Sequence, residues 1–292
     1  MTAPAETAVS IIITNWNTSG LLDGALDALA KTVPAGAAET IVVDNGSTDG
    51  SPDMVRRKYP GVRLIANSRN LGFARANNQG LAAAAARYVL FLGSDTIAQQ
   101  GTVAALASFL DATPRAGAVS CRLLNPDRTP QMSCRTFPRL RDAMATYLSL
   151  HFLSRAYTMA GFDFYRTQRV DQPAATCLMV RRELLTALRG FDERYTILYN
   201  DVDLCQRIYA AGYEIFYCGD TEIIHHGSMT TRAAPPPVRL EMYRNILQYF
   251  RAHAGPSATW LLTPVLFARL LLVTRDGTAL HLLHPDREGW NG

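Results

Sequence analysis

The sequence has 292 residues, of which 48% are apolar, so it can form one large packed domain or two smaller ones. Its net charge of +4 suits a small anionic partner such as a nucleotide and is too low to indicate nucleic acid. A membrane-spanning helix needs about 20 uninterrupted apolar residues. The nearest stretch, 258–273, is interrupted by Pro264 and Arg269, so no spanning helix is expected.

The N-terminus and the cysteines indicate an intracellular protein. Residues 1–10 contain Glu6 and no Lys or Arg, and the apolar run 9–13 is too short for a signal peptide. The cysteines are odd in number and include no Cys-x-x-Cys pair, which favours reduced thiols. We therefore expect the catalytic part of the chain to lie in the cytoplasm.

In the first half of the chain, short β-branched runs alternate with helical patterns. Strands are predicted at 9–14, 40–44, 62–66, 88–92 and 116–121. Helices are predicted at 21–31, 51–58, 73–86 and 103–111. This alternation predicts βαβ units, and therefore an α/β fold with a mainly parallel sheet.

The second half is less regular. Residues 125–171 are rich in arginine and aromatic side chains and show little periodicity, so we interpret them as an excursion that shapes an acceptor pocket or a lid. The pattern then returns, with further helices expected towards the C-terminus. Strands are predicted at 176–180, 213–217 and 222–225, and helices at 182–188, 200–211 and 238–252.

Three apolar runs in the first hundred residues end in short polar side chains. They end in TNWN at 14–17, DNGSTDGS at 44–51 and GSDT at 93–96. The carboxyl ends of parallel strands form the ligand crevice of an open α/β sheet. The carboxylate of Asp44 could accept the imino N–H of a pyrimidine ring, although 44–50 also fits a simple capped strand–helix junction. The sequence predicts a site for a polar ligand, most simply a nucleotide.

A further motif, NLGFARANNQG, occupies residues 70–80. Gly72 would let the backbone approach a ligand closely, and the guanidinium of Arg75 suits phosphate oxygens. Asparagine is a poor helix former, so the asparagines inside this helical stretch favour a function over capping. Three residues of the motif share one helix face: Phe73, Asn77 and Gly80.

Taken together, these motifs resemble the family 2 glycosyltransferases with a GT-A fold, especially their rhamnosyltransferase-like branch. The family pattern Asn-x-Gly-Phe-Ala-x-Ala-Asn-Asn-x-Gly matches at 70–80, and Gly-Phe-Asp-Glu … Glu-Asp-x-Asp-Leu matches with one change at 190–204. The resemblance extends over about 9–228. It implies a mainly parallel sheet flanked by helices. The implied domains are a GT-A domain at 1–230, with a nucleotide-sugar-binding half (1–122) and an acceptor and catalytic half (123–230), and a C-terminal helical extension at 231–292.

The resemblance places the donor nucleotide sugar against the first strand ends. Asp44 would bind the base, and residues 14–17 would lie beside it. The implied donor-binding residues are Thr14, Asn15, Trp16, Asn17, Asp44, Asn45, Asn70, Gly72, Phe73, Arg75, Asn77, Asn78 and Ser94.

The resemblance also implies a Mg²⁺ or Mn²⁺ ion, held by Asp95, that bridges the donor diphosphate. The family's Asp-x-Asp motif is changed here because Gly93 replaces its first acid, so weak metal binding is expected without the donor. A second ligand is expected from His225, with His226 in reserve, although such a pair can simply solvate a strand end. Imidazole binds a metal only when neutral, so activity is expected to fall at acid pH.

Asp201 is the candidate general base, since it matches the second acid of the family's Glu-Asp pair, in which Asn200 replaces the Glu. At about 100° per residue, three apolar residues fall within about 60° of Asp201: Leu204, Cys205 and Ile208. Asp203 would point away from them, and with Asn200 as N-cap it would form a capping-box-like pair. This pattern predicts a catalytic Asp201 and a structural Asp203.

The implied reaction is an inverting transfer of a sugar to a glycan or a lipid-linked acceptor. The branch suggests dTDP-rhamnose as donor, with UDP-sugars next. From residue 232 onward there are seven Arg against four acids, a net of +3, around the apolar stretch 258–273. Such a stretch could lie on the inner face of the cell membrane, pack on the core, or form a homodimer.

Two other functions fit the sequence less well. One is a nucleotide-sugar-binding protein with little or no transfer activity, which Gly93 and Asn200 would favour. The other is a Rossmann dehydrogenase, which is disfavoured because no Gly-x-Gly-x-x-Gly follows a strand.

Overall fold

The computed structural model describes residues 8–150, 157–227 and 236–274. Parts of the expected C-terminal extension, at 231–235 and 275–292, lie outside these described residues. The strands are β1 Val9–Asn15, β2 Ala38–Asp44, β3 Arg63–Ala66, β4 Tyr88–Gly93, β5 Thr96–Ala98, β6 Ala116–Leu124, β7 Pro130–Gln131, β8 Cys134–Arg135, β9 Gln168–Arg169, β10 Gln172–Pro173, β11 Cys177–Arg181 and β12 Glu214–His225. The helices are α1 Ser19–Thr32, α2 Ser51–Lys58, α3 Phe73–Ala83, α4 Thr102–Ala112, α5 Leu140–Tyr147, α6 Arg182–Ala187, α7 Asn200–Ala210, α8 Pro236–Ala254 and α9 Pro256–Thr274.

The main sheet has the strand order β3-β2-β1-β4-β11-β6-β12-β5. The first four strands are mutually parallel, and β12 is parallel to β6, whereas β11 runs antiparallel to both β4 and β6. The central strands are apolar on both faces because helices cover both sides. For example, Ile11, Ile12 and Ile13 on β1 are all fully buried. The predicted α/β class and mainly parallel sheet are therefore confirmed.

Most predicted elements of the first half lie within a few residues of those observed, because each carries its own hydrophobic pattern. The two strands predicted at 213–217 and 222–225 form one strand, β12, whose register shifts between Cys218 and Glu222. The stretch 125–171 contains short elements that the sequence did not indicate, namely β7, β8, α5 and β9. Of these, β7 pairs with the end of β6, β9 pairs with β12, and β8 pairs with β10 in a separate two-stranded sheet.

The helices α8 and α9 pack against each other and against α5. One face of α9 is buried at a spacing of four residues and belongs to a cluster that also contains Tyr195 and Val202. The buried residues of α9 are Ala258, Leu262, Leu266 and Leu270. Among the described residues, no helix is both long enough and apolar enough to cross a bilayer.

Candidate active site

The residues predicted to act on the acceptor and on the diphosphate meet at one edge of the sheet. The backbone N–H of Ala175 donates to Asp201 Oδ2 at 3.4 Å. The next residue, Thr176, accepts through its carbonyl from the Gly93 N–H at 2.9 Å, and Asp95 follows Gly93 by two positions. The start of α7 and the end of β4 are therefore joined through a short backbone segment that leads into β11.

Asp95 and His225 form a close pair across the β5–β12 ladder. His225 Nε2 lies 3.2 Å from Asp95 Oδ2, and the two side chains are only 14% and 16% exposed. The N–H of His226 donates to the Asp95 carbonyl at 2.9 Å, while its side chain faces solvent. Burial alone would raise the pKa of Asp95, but the hydrogen bond from His225 and the charge of the histidines keep that pKa below its usual value.

Gly93 leaves room for the Asp95 carboxylate. A Cβ at this position would lie 2.8 Å from Asp95 Oδ1 and 3.2 Å from Thr96 Cγ2. An aspartate at position 93, as the family motif has it, would require the Asp95 side chain to move. The absence of a side chain at Gly93 therefore suits the Asp95 conformation seen here.

Gln131 is a site residue that the sequence did not reveal. Its Oε1 lies 2.5 Å from His225 Nδ1, so the imidazole edge opposite Asp95 has a polar partner. The ring thus directs Nε2 towards the carboxylate, and both groups suit a divalent cation. Within the parts of the chain that are described, no third His, Cys, Asp or Glu completes a metal-binding group. Water or substrate oxygens would have to supply the other ligands.

Asp201 lies in the first turn of α7, half-buried beside the extended segment before β11. Its Oδ1 accepts from the Val202 N–H at 2.9 Å. Burial raises the pKa of Asp201 above its usual value, and the backbone donors and the charge of Arg135 only partly oppose the shift. The three apolar residues expected on its side of the helix are fully buried: Leu204, Cys205 and Ile208.

The prediction for Asp203 is wrong in its geometry. Asp203 does not point into solvent, because α8 covers that face of α7, and it is only 3% exposed. It pairs with Arg207 Nε at 2.7 Å and with His253 Nε2 at 2.9 Å. Nor is Asn200 the N-cap, since the helix begins after Tyr199, whose φ is 67°. Asp203 is structural, but as a buried ion-pair partner and not as part of a capping box.

The predicted donor end is braced by its own side chains. Asn15 Nδ2 donates to Asp44 Oδ2 at 2.8 Å, and the Ser47 N–H donates to Asp44 Oδ1 at 2.9 Å. Asp44 is 1% exposed, and its carboxylate accepts hydrogen bonds that hold this loop. Only its remaining lone pairs are available to the nucleobase of a donor. Trp16, in contrast, is 43% exposed, and Asn17 adopts a positive φ of 52°.

A hydroxyl contact links the predicted donor end to the loop at residues 93–96. Thr18 Oγ1 donates to Asn15 Oδ1 at 2.6 Å and lies 3.1 Å from Ser94 Oγ. Thr14, at the end of β1, is half-buried and pairs in register with Gly93. The structure therefore brings the predicted residues at 14–17 and at 93–96 together.

Several residues of the NLGFARANNQG motif bind protein groups through their side chains. Asn45 donates to Asn70 Oδ1 at 3.0 Å and to the Gly72 carbonyl at 3.2 Å. Gly72 has a φ of +84°, and its close backbone neighbour is Thr196, whose carbonyl would lie 3.1 Å from a Cβ. Gly72 thus approaches the segment before α7 closely, and its approach to a ligand stays a prediction.

The two asparagines on α3 are also occupied. Asn77 is 1% exposed and donates to the Phe73 carbonyl at 2.9 Å. Asn78 donates to the Phe191 carbonyl and accepts from its N–H, each at 2.9 Å. The Phe73 ring packs edge-on against Phe191, with centroids 5.6 Å apart. Asn77 therefore bonds within α3, while Asn78 connects α3 to the loop that leads to α7, and a role of either residue towards the donor stays a prediction.

Arg75 is the residue of this motif that remains available. Its side chain is 58% exposed, and its Nε lies 4.0 Å from Glu193 Oε2. An exposed guanidinium with so distant an ion-pair partner can turn towards a phosphate at little cost. Its role as a donor-binding residue stays a prediction.

Two residues of the excursion lie near Asp201. Arg135 on β8 pairs with Gln172 on β10, and its guanidinium lies 5.9 Å from the ring centroid of Tyr157. Burial raises the pKa of Tyr157, with the nearby charge of Asp201 adding to the effect and that of Arg135 opposing it. The sequence indicated the excursion as an acceptor-side element but gave no signal for these two residues.

The chain matches the family model for Glycosyl transferase family 2 over residues 10–187. It is 31% identical over 214 residues to the N-acetylglucosaminyl-diphospho-decaprenol L-rhamnosyltransferase of Mycobacterium tuberculosis, covering 67% of this chain and 68% of that protein. It is also 24% identical over 183 residues to rhamnosyltransferase WbbL of Escherichia coli, covering 60% and 68% of the two chains.

Among solved structures, the mannosyltransferase PcManGT from Pyrobaculum calidifontis, in complex with GDP-Man and Mn²⁺, has a TM-score of 0.58. It is 22% identical, over 96% of this chain and 76% of that chain. The fold and the site define an enzyme of the glycosyltransferase class with a GT-A fold. This chain belongs to glycosyl transferase family 2, and within it the sequence is rhamnosyltransferase-like.

Proposed function

We propose that this chain catalyses a metal-dependent, inverting transfer of a sugar from a nucleotide diphosphate to an acceptor hydroxyl. One observation carries the proposal: Asp201 and the Asp95–His225 pair lie at the same sheet edge, linked through Ala175, Thr176 and Gly93. Inversion needs one base on the acceptor side and stabilisation of the leaving group on the other. Asp201 is proposed to be that base, and the Asp95–His225 pair to hold the cation that stabilises the leaving group.

Asp201 is proposed to take the proton from the acceptor hydroxyl. Its pKa is raised by burial, which makes its carboxylate a stronger base than an exposed aspartate. The backbone N–H groups of Ala175 and Val202 each donate to one oxygen and fix the orientation of the carboxylate. Arg135 and Tyr157, which lie together on the excursion, are proposed to line the acceptor side of Asp201.

Asp95 and His225 are proposed to hold the Mg²⁺ or Mn²⁺ ion, with His226 in reserve. When bound, the ion would neutralise charge on the diphosphate leaving group. Arg75 is proposed to bind the same phosphates, and the residues at 14–17, with Asp44 and Ser94, to form the donor end. Asn45, Asn70, Gly72, Phe73, Asn77 and Asn78 are proposed to support this end through the protein contacts described above.

The donor is proposed to be dTDP-rhamnose, with UDP-sugars as the next choice, because the relatives named above are rhamnosyltransferases. The acceptor is proposed to be lipid-linked or a cell-surface glycan, since the mycobacterial relative is named for a diphospho-decaprenol substrate. We also propose a GT-A domain at 1–230 and an extension at 231–292. The extension would bring the enzyme to the inner face of the membrane through 258–273.

Substitution of the proposed base tests the reaction. Asp201→Asn should lower turnover by roughly 10²–10⁴-fold, the usual contribution of a general base, while calorimetry shows unchanged donor affinity. Asp53→Asn is the matched control, because Asp53 is exposed on α2 and pairs with Arg56. Near wild-type turnover of Asp201→Asn would contradict the assignment. NMR of the product's anomeric proton tests the inversion.

A nucleotide-sugar-binding protein with little activity is the second candidate, because Gly93 and Asn200 replace acids of the family motifs. Calorimetry with nucleotide sugars and a transfer assay on the same preparation separate the two functions. Donor binding without turnover on any acceptor would favour the binding protein. Turnover that depends on Asp201 would exclude it.

A further inference from the structure

We propose that Gln131 is a positioning residue that places a hydrogen on His225 Nδ1 and so presents the Nε2 lone pair to the cation beside Asp95. The inference rests on the proposed function, since it assigns a device to that metal site. It concerns a residue 94 positions away from His225 in sequence, at a contact of 2.5 Å. The direction of each hydrogen bond in the surrounding chain carries the argument.

The chain of hydrogen bonds begins at Asp127, whose ionised carboxylate can only accept. Thr129 Oγ1 lies 2.6 Å from Asp127 Oδ1, so the single hydroxyl hydrogen of Thr129 is committed to that carboxylate. The same Oγ1 must therefore accept from Asn125 Nδ2, at 2.9 Å. This orients the amide of Asn125, and its Oδ1 then accepts from Gln131 Nε2 at 2.9 Å.

With its nitrogen committed to Asn125, Gln131 can offer only Oε1 to His225. A carbonyl oxygen cannot donate, so His225 Nδ1 must carry the hydrogen in this 2.5 Å contact. The other ring nitrogen of a neutral imidazole is then a lone pair, and it lies 3.2 Å from Asp95 Oδ2. Without a metal, a hydrogen on Nε2 joins these two atoms, as in the hydrogen bond described above, and a bound divalent cation would take its place.

Local backbone structure explains why these groups meet. Between β6 and β7 the chain makes a tight turn in which the Asn125 N–H donates to the Thr129 carbonyl at 2.8 Å. The turn places Gln131 opposite Leu123 in an antiparallel pair. Because β6 also runs alongside β12, with Leu124 beside Ile224, the side chain of Gln131 comes beside the end of β12. The hairpin formed by β6 and β7 thus sets the orientation of the imidazole.

The first experiment measures Mn²⁺ binding by titration monitored by EPR, with Mn²⁺ alone as the probe. Gln131→Met removes the acceptor and keeps the approximate shape, and it should weaken binding about 10–100-fold, the usual effect of losing an outer partner of a histidine ligand. Gln131→Glu keeps an acceptor and should restore affinity. Gln99→Met is the matched control, since Gln99 is also half-buried and bonds only the Ile97 carbonyl.

Equal Mn²⁺ affinity of Gln131→Met and wild type would overturn the proposal. Asp95→Asn and His225→Ala separate this outcome from failure of the proposed function. If both of these variants bind Mn²⁺ like wild type, the metal site itself is misplaced and the role of Gln131 fails with it. If both lose binding while Gln131→Met retains it, only the positioning role is wrong.

The second experiment observes the hydrogen directly. NMR of protein with ¹⁵N-labelled histidine, with His225→Ala identifying the signals, reports which ring nitrogen of His225 carries a hydrogen. We expect a protonated Nδ1 in wild type and in Gln131→Glu, and a reduced share of that form in Gln131→Met. A hydrogen-free Nδ1 in the wild-type protein would overturn the proposal, whether or not metal binds.

Discussion

Asp201 combines two properties that a surface aspartate lacks. It is half-buried at the start of α7, and among the described residues its oxygens accept from the backbone N–H groups of Ala175 and Val202. Burial therefore raises its pKa, because the charged form loses hydration that the backbone donors only partly replace. The same property that suits a base should make this residue costly for folding.

Stability should reveal that cost through its pH dependence. The pKa of Asp201 is higher in the folded than in the unfolded chain, so its contribution is fully present below the unfolded value of 3.8 and is lost as pH rises through the raised value. Asp201→Asn removes this dependence. Relative to wild type, the variant should thus gain stability between pH 4 and pH 8 in urea denaturation. A stability difference between the variant and wild type that stays constant from pH 4 to pH 8 would contradict the prediction.

Asp203 is the natural comparison, because it lies two positions away on the same helix. Its carboxylate is buried against Arg207 and His253. Asp203→Asn should lose stability, by roughly 3 kcal/mol, because breaking a buried ion pair leaves its partners uncompensated. If both variants shift stability in the same direction at pH 8, the difference in their surroundings is not what sets the effect.

The sequence revealed residue types at this scale but not their partners. The acids and histidines could be found because each follows an apolar run, and strand ends converge on one crevice. The protein contacts of Asn77 and Asn78 could not be foreseen, since an amide bonds a backbone carbonyl as well as it bonds a ligand. Gln131 left no local signal, because its partner His225 is far away in sequence.

The contact of α3 with β1 is a packing feature of the NLGFARANNQG motif. A Cβ on Gly80 would lie 2.5 Å from Ile12 Cγ2. Gly80→Ala should therefore destabilise the protein by about 1–3 kcal/mol, because the added methyl group forces the core to shift. Urea denaturation gives the free energy of unfolding.

Gly20 provides a control of the same chemistry. It also lies in a helix, α1, but no atom comes within 4 Å of a Cβ placed there. Gly20→Ala should be neutral or stabilising by roughly 0.5–1 kcal/mol, since alanine restricts the unfolded chain more than glycine does. If Gly80→Ala were as stable as Gly20→Ala, α3 would not be packed against β1 as described.

Element types were predictable where a long pattern repeats within the element itself. The strands of the first half and helices such as α2 and α7 show this, since their apolar periods can be read locally. Strands such as β8 and β10 contain only two residues each and exist through their pairing with each other. Local sequence cannot specify such elements, which explains why the excursion was left without structure.

At the scale of the molecule, side chains of α8 bond α7 and the segment before it, which lie in the proposed catalytic half (123–230). Glu241 on α8 accepts from Thr196 Oγ1 at 2.9 Å, His253 pairs with Asp203, and Gln206 donates to Tyr249 at 3.1 Å. The segment before Asp201 is thus held from the α8 side. A truncation that removes these helices would disturb the surroundings of Asp201 as well as any membrane contact. Point substitutions are therefore the cleaner test of membrane binding.

The outer face of α9 is apolar along the helix, and no other described part of the chain covers it. Trp260 is 83% exposed, Leu261 59% and Leu272 71%, whereas the opposite face is fully packed. On α8 and α9 together, four arginines stand against one acid: Arg239, Arg244, Arg251 and Arg269 against Glu241. An exposed apolar helix face with a basic surround favours the interface of an anionic bilayer.

Replacing the three most exposed apolar residues of α9, by Trp260→Ser, Leu261→Ser and Leu272→Ser together, should lower binding to phosphatidylglycerol vesicles by at least about tenfold. The reason is that inserted apolar area drives such binding, while substitution of exposed side chains leaves folding nearly unchanged. Co-sedimentation measures the bound fraction. Leu21→Ser is the control, since Leu21 is an exposed leucine on α1, which packs against α2 and β5. Undiminished sedimentation of the triple variant would reject the membrane surface. Loss of a wild-type dimer, seen by light scattering, would assign the face to a second subunit.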